Sequence, residues 1–520
     1  MELNLVNWLL ALSPVLTVLG LMVGAGWGGS KAGSAGFLVA LALALTAFGG
    51  DANLVLVAIG KSVLLAIDVL YIVWMALFFY NVTNEAGAVA LIGRSLPRLT
   101  SDRAAQSLLI SWVFVSLLQG VGGFGVPVAV VAPLLVGLGY TATQSVIMAS
   151  LGHGWAVTFG SLGTSFVALT AVTGLPGETL AHDVALILGL ACLISGALVA
   201  YVSAGWSGFL RSIPMLGIVG AAMGLTQWWI ASNGIWTLGA TSGALAGALV
   251  GVVYVLSPLH RGSTNRTRSA RDDRGRSLVL ALAAYVILLV MAFAVNLIEP
   301  LEHLMDSVLI QFEFPAVATS FGWAVPAESG RAISVFGHAG AILFYAGLIA
   351  FLLYRAAGYF DSSTVWRDIW SKVRKSAIKS TVSILALVAM ASLMTHTGMT
   401  QIIARGISET FDAEIYPLFA PFIGMLGAFM TGSNANSNVV FGALQQETAT
   451  LLALSVPIVL AGQTAGASLG SVLAPAKIIV GCSTVGLSGH EGPVIRRMLL
   501  LGLIPVAFVA LFTFARLASA

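Results

Sequence analysis

Residues 431–438 read Thr-Gly-Ser-Asn-Ala-Asn-Ser-Asn, a run of amides and hydroxyls inside a chain that is otherwise nearly all hydrocarbon. Ser433, Asn434, Asn436, Ser437 and Asn438 are donors and acceptors without charge. Such a run cannot face lipid, because each unsatisfied polar group costs several kcal/mol there. It must be buried in protein or line a wet cavity. At the start of a half-helix it would join the free N–H groups and partial positive charge of the helix N-terminus, a setting that favours an anion. The chemistry that follows is recognition of a small carboxylate and a hydroxyl without a full buried counter-charge. A polar packing contact between helices is the competing reading. The density of polar groups favours binding.

Three further tracts carry related chemistry. Gln119–Val128 reads Gln-Gly-Val-Gly-Gly-Phe-Gly-Val-Pro-Val, where Gly123 and Gly125 permit close backbone approach and Pro127 favours a helix start. No strand and no suitably spaced acid accompany it, so it is not a dinucleotide fingerprint. Thr158–Ser165 supplies Thr158, Ser161 and Thr164, and Gln463–Ser471 supplies Gln463, Thr464 and Ser468. Both contain Ser-Leu-Gly, at 161–163 and 468–470, in matching places of the two halves. Paired broken segments in two halves of a membrane protein point to a transporter's binding site.

Ionisable groups in apolar runs are costly and are functional candidates by default. Asp68, His153, Glu328 and Glu447 are the candidates for carrying a proton. A carboxylate in low dielectric is harder to ionise, which brings its protonation towards the working range. Lys61 precedes Asp68 by two helical turns, Glu328 has Arg331 three residues on, and His338 is a weaker candidate than His153. Lys477 offers an ammonium to a substrate carboxylate, or snorkels to an interface. No catalytic motif surrounds any serine, and a triad from His153, Ser161 and Asp68 has no support beyond composition. Cys192 and Cys482 give no metal spacing and no disulfide framework. Neither a metal nor a cofactor is expected, and without a P-loop neither is ATP-driven pumping.

These residues must be positioned by membrane helices. The 520-residue chain is 58% hydrophobic and 9% charged, against about 25% charged for a soluble domain. The net charge of +3 implies no nucleic-acid partner. Apolar runs of spanning length fall near 7–24, 33–49, 54–80, 106–118, 184–204, 211–231 and 235–257, then 278–297, 340–355, 380–396 and 498–516. The first lacks a basic leader and reads as a spanning helix. Between them lie punctured segments, 120–139 and 142–172 in one half, 416–445 and 449–487 in the other. The expected fold is an all-α polytopic membrane protein of about 12–14 membrane elements, with two repeats of broken helices or re-entrant hairpins. An odd number of crossings between the pairs would make the repeats inverted. Residues 1–257 form the first half with its broken segments at 120–172, 258–277 a basic linker, and 278–520 the second half with its broken segments at 416–487. Basic stretches at 94–103, 261–276, 367–379 and 496–497 are placed in the cytoplasm, which puts both termini outside. Residues 360–379 alternate Trp366, Ile369, Trp370 and Val373 with basic residues, as an amphipathic helix on the inner membrane surface would.

Gly-Phe-Gly-Val-Pro-Val-Ala at 123–129, followed by Pro-Leu-Leu-Val-Gly-Leu-Gly-Tyr at 133–140, resembles the first signature of the lactate permease family. Residues 427–442 resemble its second, and Ala-Pro-Ala-Lys-Ile with Val-Gly-Leu-Ser-Gly-His-Glu-Gly, within 474–492, a third. The resemblance covers both halves. It implies a proton-coupled symporter in the cell membrane for L-lactate, with D-lactate and glycolate as companions. It also implies likeness to the wider ion-transporter superfamily, whose members pair inverted repeats with re-entrant hairpins and often move as elevators. Symport fits the electrostatics, since moving an anion into a negative interior costs about 2.3 kcal/mol per 100 mV and one proton removes that cost. Another small organic anion, sodium as the coupling ion and an anion channel are the alternatives. The central, paired polar clusters fit a channel's continuous lining least. The expected partners are the substrate, protons and lipid, and a homodimer is left open.

Overall fold

The computed structural model describes residues 3–25, 27–95, 99–121, 126–257, 277–330, 332–360, 362–487 and 490–519. Within a bilayer a chain this apolar satisfies its backbone only as helix. The chain opens with α1 (Leu5–Gly24), α2 (Gly29–Thr46) and α3 (Ala52–Glu85). Asn4 and Asp51 start α1 and α3 by accepting the backbone N–H groups of Asn7 and Leu54, each at 2.8 Å. α3 has 34 residues and outruns the span expected at 54–80. Then come α4 (Ala88–Ser95), α5 (Arg103–Leu108), a π-helical turn at Leu109–Phe114, and α6 (Val115–Val121). They are followed by α7 (Val126–Gly137), α8 (Ala142–Leu151), a 3-10 turn at Gly154–Ala156, and α9 (Thr164–Thr173). The spans expected near 184–204 and 211–231 are the two legs of α10 (Gly177–Ser232), folded at Ala204 and Gly205. Gly189 and Gly224 let the legs touch, since a Cβ on Gly224 would sit 2.9 Å from the Gly189 carbonyl. α11 (Gly239–Leu256) completes the half.

The second half begins with α12 (Leu278–Leu297) and α13 (Glu299–Met305). Next comes an arm that the apolar pattern does not reveal. Its strands nest as one antiparallel hairpin: β1 (Leu309–Ile310) on β6 (Ile333–Ser334), β2 (Glu313–Phe314) on β5 (Glu328–Ser329), and β3 (Val317–Ala318) on β4 (Ala324–Val325). α14 (Ala339–Ala356) and α15 (Val365–His396) follow. The basic stretch at 367–379 is not a separate surface helix: it is the first half of α15. No Gly or Pro interrupts residues 365–396, and the apolar face meets protein, with Ile369 fully buried and Trp370 stacked on Phe78 at 5.0 Å. The chain closes with α16 (Met399–Thr410), α17 (Tyr416–Thr431), α18 (Asn434–Leu451), α19 (Val456–Ser471), α20 (Pro475–Thr484) and α21 (Glu491–Ala518).

Among the described residues eight helices are long and apolar enough to cross a membrane. Their outward faces carry Leu56, Leu249, Val279 and Leu500, all well exposed, as lipid contact requires. The protein is all-α and polytopic. Both halves contain four shorter helices followed by a long one. In the first half this is α6, α7, α8, α9 and α10; in the second it is α17, α18, α19, α20 and α21.

Candidate functional site

The interruptions meet at the centre. α9 follows three consecutive left-handed residues, Ser161, Leu162 and Gly163, with φ of 48°, 53° and 73°. Two of these are not glycine, a conformation that persists only where surroundings enforce it. Here the N–H groups of Ser161 and Leu162 donate to the carbonyls of Gln119 (2.8 Å) and Gly120 (3.1 Å), which closes the C-terminal end of α6. α18 follows Gly432, at φ 70°, and Ser433, whose hydroxyl accepts the N–H of Asn436 at 3.3 Å. The first N–H groups of a helix have no intrahelical partner. Those of Thr164 and Ser165 in α9, and of Asn434 and Ala435 in α18, belong to residues on the wall of one cavity of about 340 Å³.

Ser161, Thr164, Ser433, Asn434, Asn436 and Lys477 line this cavity. Lys477 is its one ionisable side chain among the described lining residues. Its Nζ donates to Ser471 Oγ at 3.3 Å, and only 8% of the residue is exposed. Opposite stand Val73 of α3, Gly29 and Ser30 of α2, and Ser380 and Ser383 of α15, with Asn436 Nδ2 donating to Ser383 Oγ at 3.3 Å. Sequence reasoning missed Ser380 and Ser383, because a serine in an unbroken helix carries no signal alone. Their spacing of three on the apolar part of α15 was the available clue. Gln119 also lines the cavity, and its buried Oε1 has no protein partner.

The remaining expected binding residues stand one layer behind. Asn434 Nδ2 donates to Thr158 Oγ1 (2.9 Å), and Asn438 Nδ2 donates to the Ser165 carbonyl (2.8 Å) and Thr464 Oγ1 (2.9 Å). The Thr158 N–H donates to Ser468 Oγ (3.2 Å), and that hydroxyl donates to the Gly154 carbonyl (2.7 Å). Gln463 Nε2 reaches Ser437 Oγ at 3.4 Å. Thr158, Ser437, Asn438, Gln463, Thr464 and Ser468 are fully buried. This layer fastens the broken helices of one half to those of the other, α9 to α18 and the 152–163 stretch to α19. Asn438→Leu removes the amide that donates to both the Ser165 carbonyl and Thr464 Oγ1 in a buried layer, where each lost hydrogen bond costs about 0.5–1.5 kcal/mol. The expected result is a lowered melting temperature of the purified protein, measured in detergent, beyond any change at the cavity-facing Asn436. Gly123 and Gly125 lie outside the described residues, as do Arg331 and residues 258–276 of the basic linker.

A second cavity, of about 720 Å³, uses the other ends of the same helices. α3 gives it Lys61 and Leu65, α9 Thr170–Thr173, α15 Val388 to His396, and α18 Ala443 to Glu447. Glu328 and Glu447 line this cavity and not the first. Glu328, on β5, pairs with Lys61 of α3, so Lys61 and Asp68 act apart. Asp68 is paired instead with His338. His153 is fully buried behind both cavities, its Nδ1 2.8 Å from the Ala149 carbonyl and its Nε2 without a protein partner.

A multi-pass helical body that holds polar groups at mid-depth between two separate cavities, one at each end of the same helices, has the architecture of a membrane transporter. The comparisons with known proteins narrow this. The family model for L-lactate permease matches residues 7–518. The chain is 26% identical to the glycolate permease GlcA of Escherichia coli over 93% of its own length and 91% of that protein's. It is 25% identical to an L-lactate permease of Bacillus subtilis, covering 85% of this chain and 84% of the relative. The crystal structure of the YdaH transporter of Alcanivorax borkumensis is similar in fold, with a TM-score of 0.50 at 13% identity over 88% of this chain and 86% of that one. The chain belongs to the L-lactate permease family. That is a family of permeases, which points away from enzymatic activity.

Proposed function

We propose that this protein carries L-lactate and related 2-hydroxy monocarboxylates, D-lactate and glycolate among them, across the cell membrane together with a proton. The observation that carries the reading is the 340 Å³ cavity, where two helix N-termini and the Lys477 ammonium converge beside Asn436, Ser433 and Ser161. The N-termini and the ammonium suit a carboxylate, and the amide and hydroxyls suit the neighbouring hydroxyl. The names of the permease relatives support the same substrate class.

Arg94 of α4, Arg103 of α5, the basic first half of α15 and the basic start of α21 face the cytoplasm in this reading, with both chain termini outside. The 340 Å³ cavity then lies on the cytoplasmic side and the 720 Å³ cavity on the outer side. The two halves, 1–257 and 278–520, act as repeats whose broken helices move together against α3 and α15. Ser383 and Ser392 on α15 belong to the inner and outer cavities. They are nine residues apart, a slide of roughly 13 Å at 1.5 Å per residue. That is an elevator motion.

The test is uptake of labelled L-lactate into proteoliposomes under an imposed pH gradient, with glycolate, pyruvate and acetate as competitors. Accumulation should vanish when the gradient is collapsed, and glycolate should compete better than acetate, which lacks the hydroxyl. Uptake that ignores both proton and sodium gradients would refute coupled transport. Asn436→Leu should abolish uptake while leaving insertion and the size-exclusion profile intact, because Asn436 faces the cavity and Ser383 and not the buried layer. Normal kinetics would remove it from the site.

A further inference from the structure

The geometry points to Asp68 and His338 together as the place where the co-transported proton is held, an inference that rests on the symport reading above. Asp68 lies on α3 between Leu65, which lines the outer cavity, and Val73, which lines the inner one. Three residues separate it from the first and five from the second, roughly 5 and 8 Å of helix rise. Its side chain is 3% exposed, and Oδ1 is 3.0 Å from His338 Nε2. Glu328 and Glu447, by contrast, open onto the outer cavity alone.

The histidine's tautomer is set by the backbone. His338 caps α14, and its Nδ1 accepts the N–H of Gly340 at 3.2 Å. A ring nitrogen that accepts carries no proton, so the proton of the neutral ring is on Nε2 and is donated to Asp68. The ring is held in that orientation. Tyr71 stacks on it with centroids 4.9 Å apart and planes 2° from parallel, and the Tyr71 hydroxyl donates to the Val335 carbonyl at 3.1 Å. A second proton on the imidazole would set Nδ1–H against the Gly340 N–H and undo the cap. The incoming proton therefore goes to the Asp68 carboxylate. One O–H bond forms as the proton arrives from the outer side, and the same bond breaks as it leaves to the inner side. The Nε2–H donation to Asp68 persists in both states.

Among the described residues, other ionisable groups stand on several elements near the pair. On α3 itself, Lys61 is two turns towards the outer end and is matched by Glu328 of β5. α15 presents His396 at that same end, with Nδ1 2.8 Å from the Ser392 carbonyl. α14 presents Tyr345, and Asp306, after α13, comes against Gly337. α9 has no ionisable side chain, and α2 has only Lys31 in its first turn.

The experiment compares wild type, Asp68→Asn, Asp68→Glu and His338→Gln in proteoliposomes. Three quantities are read: lactate counterflow, accumulation driven by a pH gradient, and the dependence of lactate KM on external pH. Asn copies the protonated acid, so Asp68→Asn should keep counterflow, lose accumulation and lose the pH dependence of KM. His338→Gln can still accept from Gly340 and donate to Asp68, and should keep accumulation with a shifted pH profile. Asp68→Asn that still concentrates lactate with the wild-type profile overturns the inference. If Asp68→Asn is inactive in both assays, Asp68→Glu decides: recovered accumulation supports an acid at this position, and loss in both, with normal size-exclusion profiles, assigns Asp68 a structural role instead. A wild type indifferent to the pH gradient defeats the symport reading itself, which is a separate result.

Discussion

Lys477→Met is expected to reduce lactate uptake by roughly two to three decades while the purified protein keeps a normal size-exclusion profile. The ammonium is nearly buried at the start of α20 and is the one ionisable side chain on the described wall of the 340 Å³ cavity. Removing one partner of a buried charge pair costs about 2–5 kcal/mol, and each 1.4 kcal/mol is a factor of about ten. The two helix N-termini would still attract the anion, each through a partial charge of about half an elementary charge, so residual uptake at high lactate is expected. The loss should fall mainly on KM if the ammonium holds the carboxylate throughout the cycle. Lys477→Arg keeps the charge but replaces a compact ammonium by a planar fork, and should recover only part of the activity. Unchanged uptake in Lys477→Met would show that Lys477 snorkels away from the substrate.

The interruptions were legible in the sequence because the bilayer leaves no alternative: glycines, serines and asparagines in an apolar chain must turn inward or break the helix. Breaks do fall at Gly432–Ser433 and across 152–163, beside the tracts singled out for chemistry. What composition alone could not say was which partner each asparagine meets. Asn434 and Asn438 are four apart on one face of α18 and bind across to Thr158, Thr464 and the Ser165 carbonyl, whereas Asn436 projects to Ser383. Helical periodicity distinguishes the two faces, but not which neighbour each one meets. The Lys61–Glu328 and Asp68–His338 pairs join residues 267 and 270 positions apart through an arm with no apolar signature. The charge run at 367–379 misled for a physical reason: basic residues look like a membrane surface, yet their opposite face packs Ile369 and Val373 into the protein.

The site depends on a helix crossing that tolerates almost no side chain, and Gly466→Val should therefore abolish folded protein. α17 and α19 pass so closely that a Cβ on Gly466 would lie 2.0 Å from the Pro421 carbonyl oxygen. One on Gly424 would lie 2.0 Å from the Gln463 carbonyl oxygen, and one on Gly470 2.5 Å from that of Met425. The obstacles are backbone oxygens of helices and cannot rotate aside. Small residues four apart are how membrane helices achieve such contact. Overpacking costs about 1–3 kcal/mol where side chains can adjust, and here whole helices would have to separate. Because α19 carries Gln463, Thr464 and Ser468, any separation also pulls apart the layer that joins α18 to α9. Gly466→Ala should thus be purified in reduced yield, with a lowered melting temperature and little transport. Gly217 is the control: nothing lies within 4 Å of its added Cβ, so Gly217→Val should give a monodisperse size-exclusion peak and near-normal uptake. Equal behaviour of Gly466→Val and Gly217→Val would mean that the α17–α19 crossing is looser than this geometry, and that the polar layer behind the cavity is not held by it.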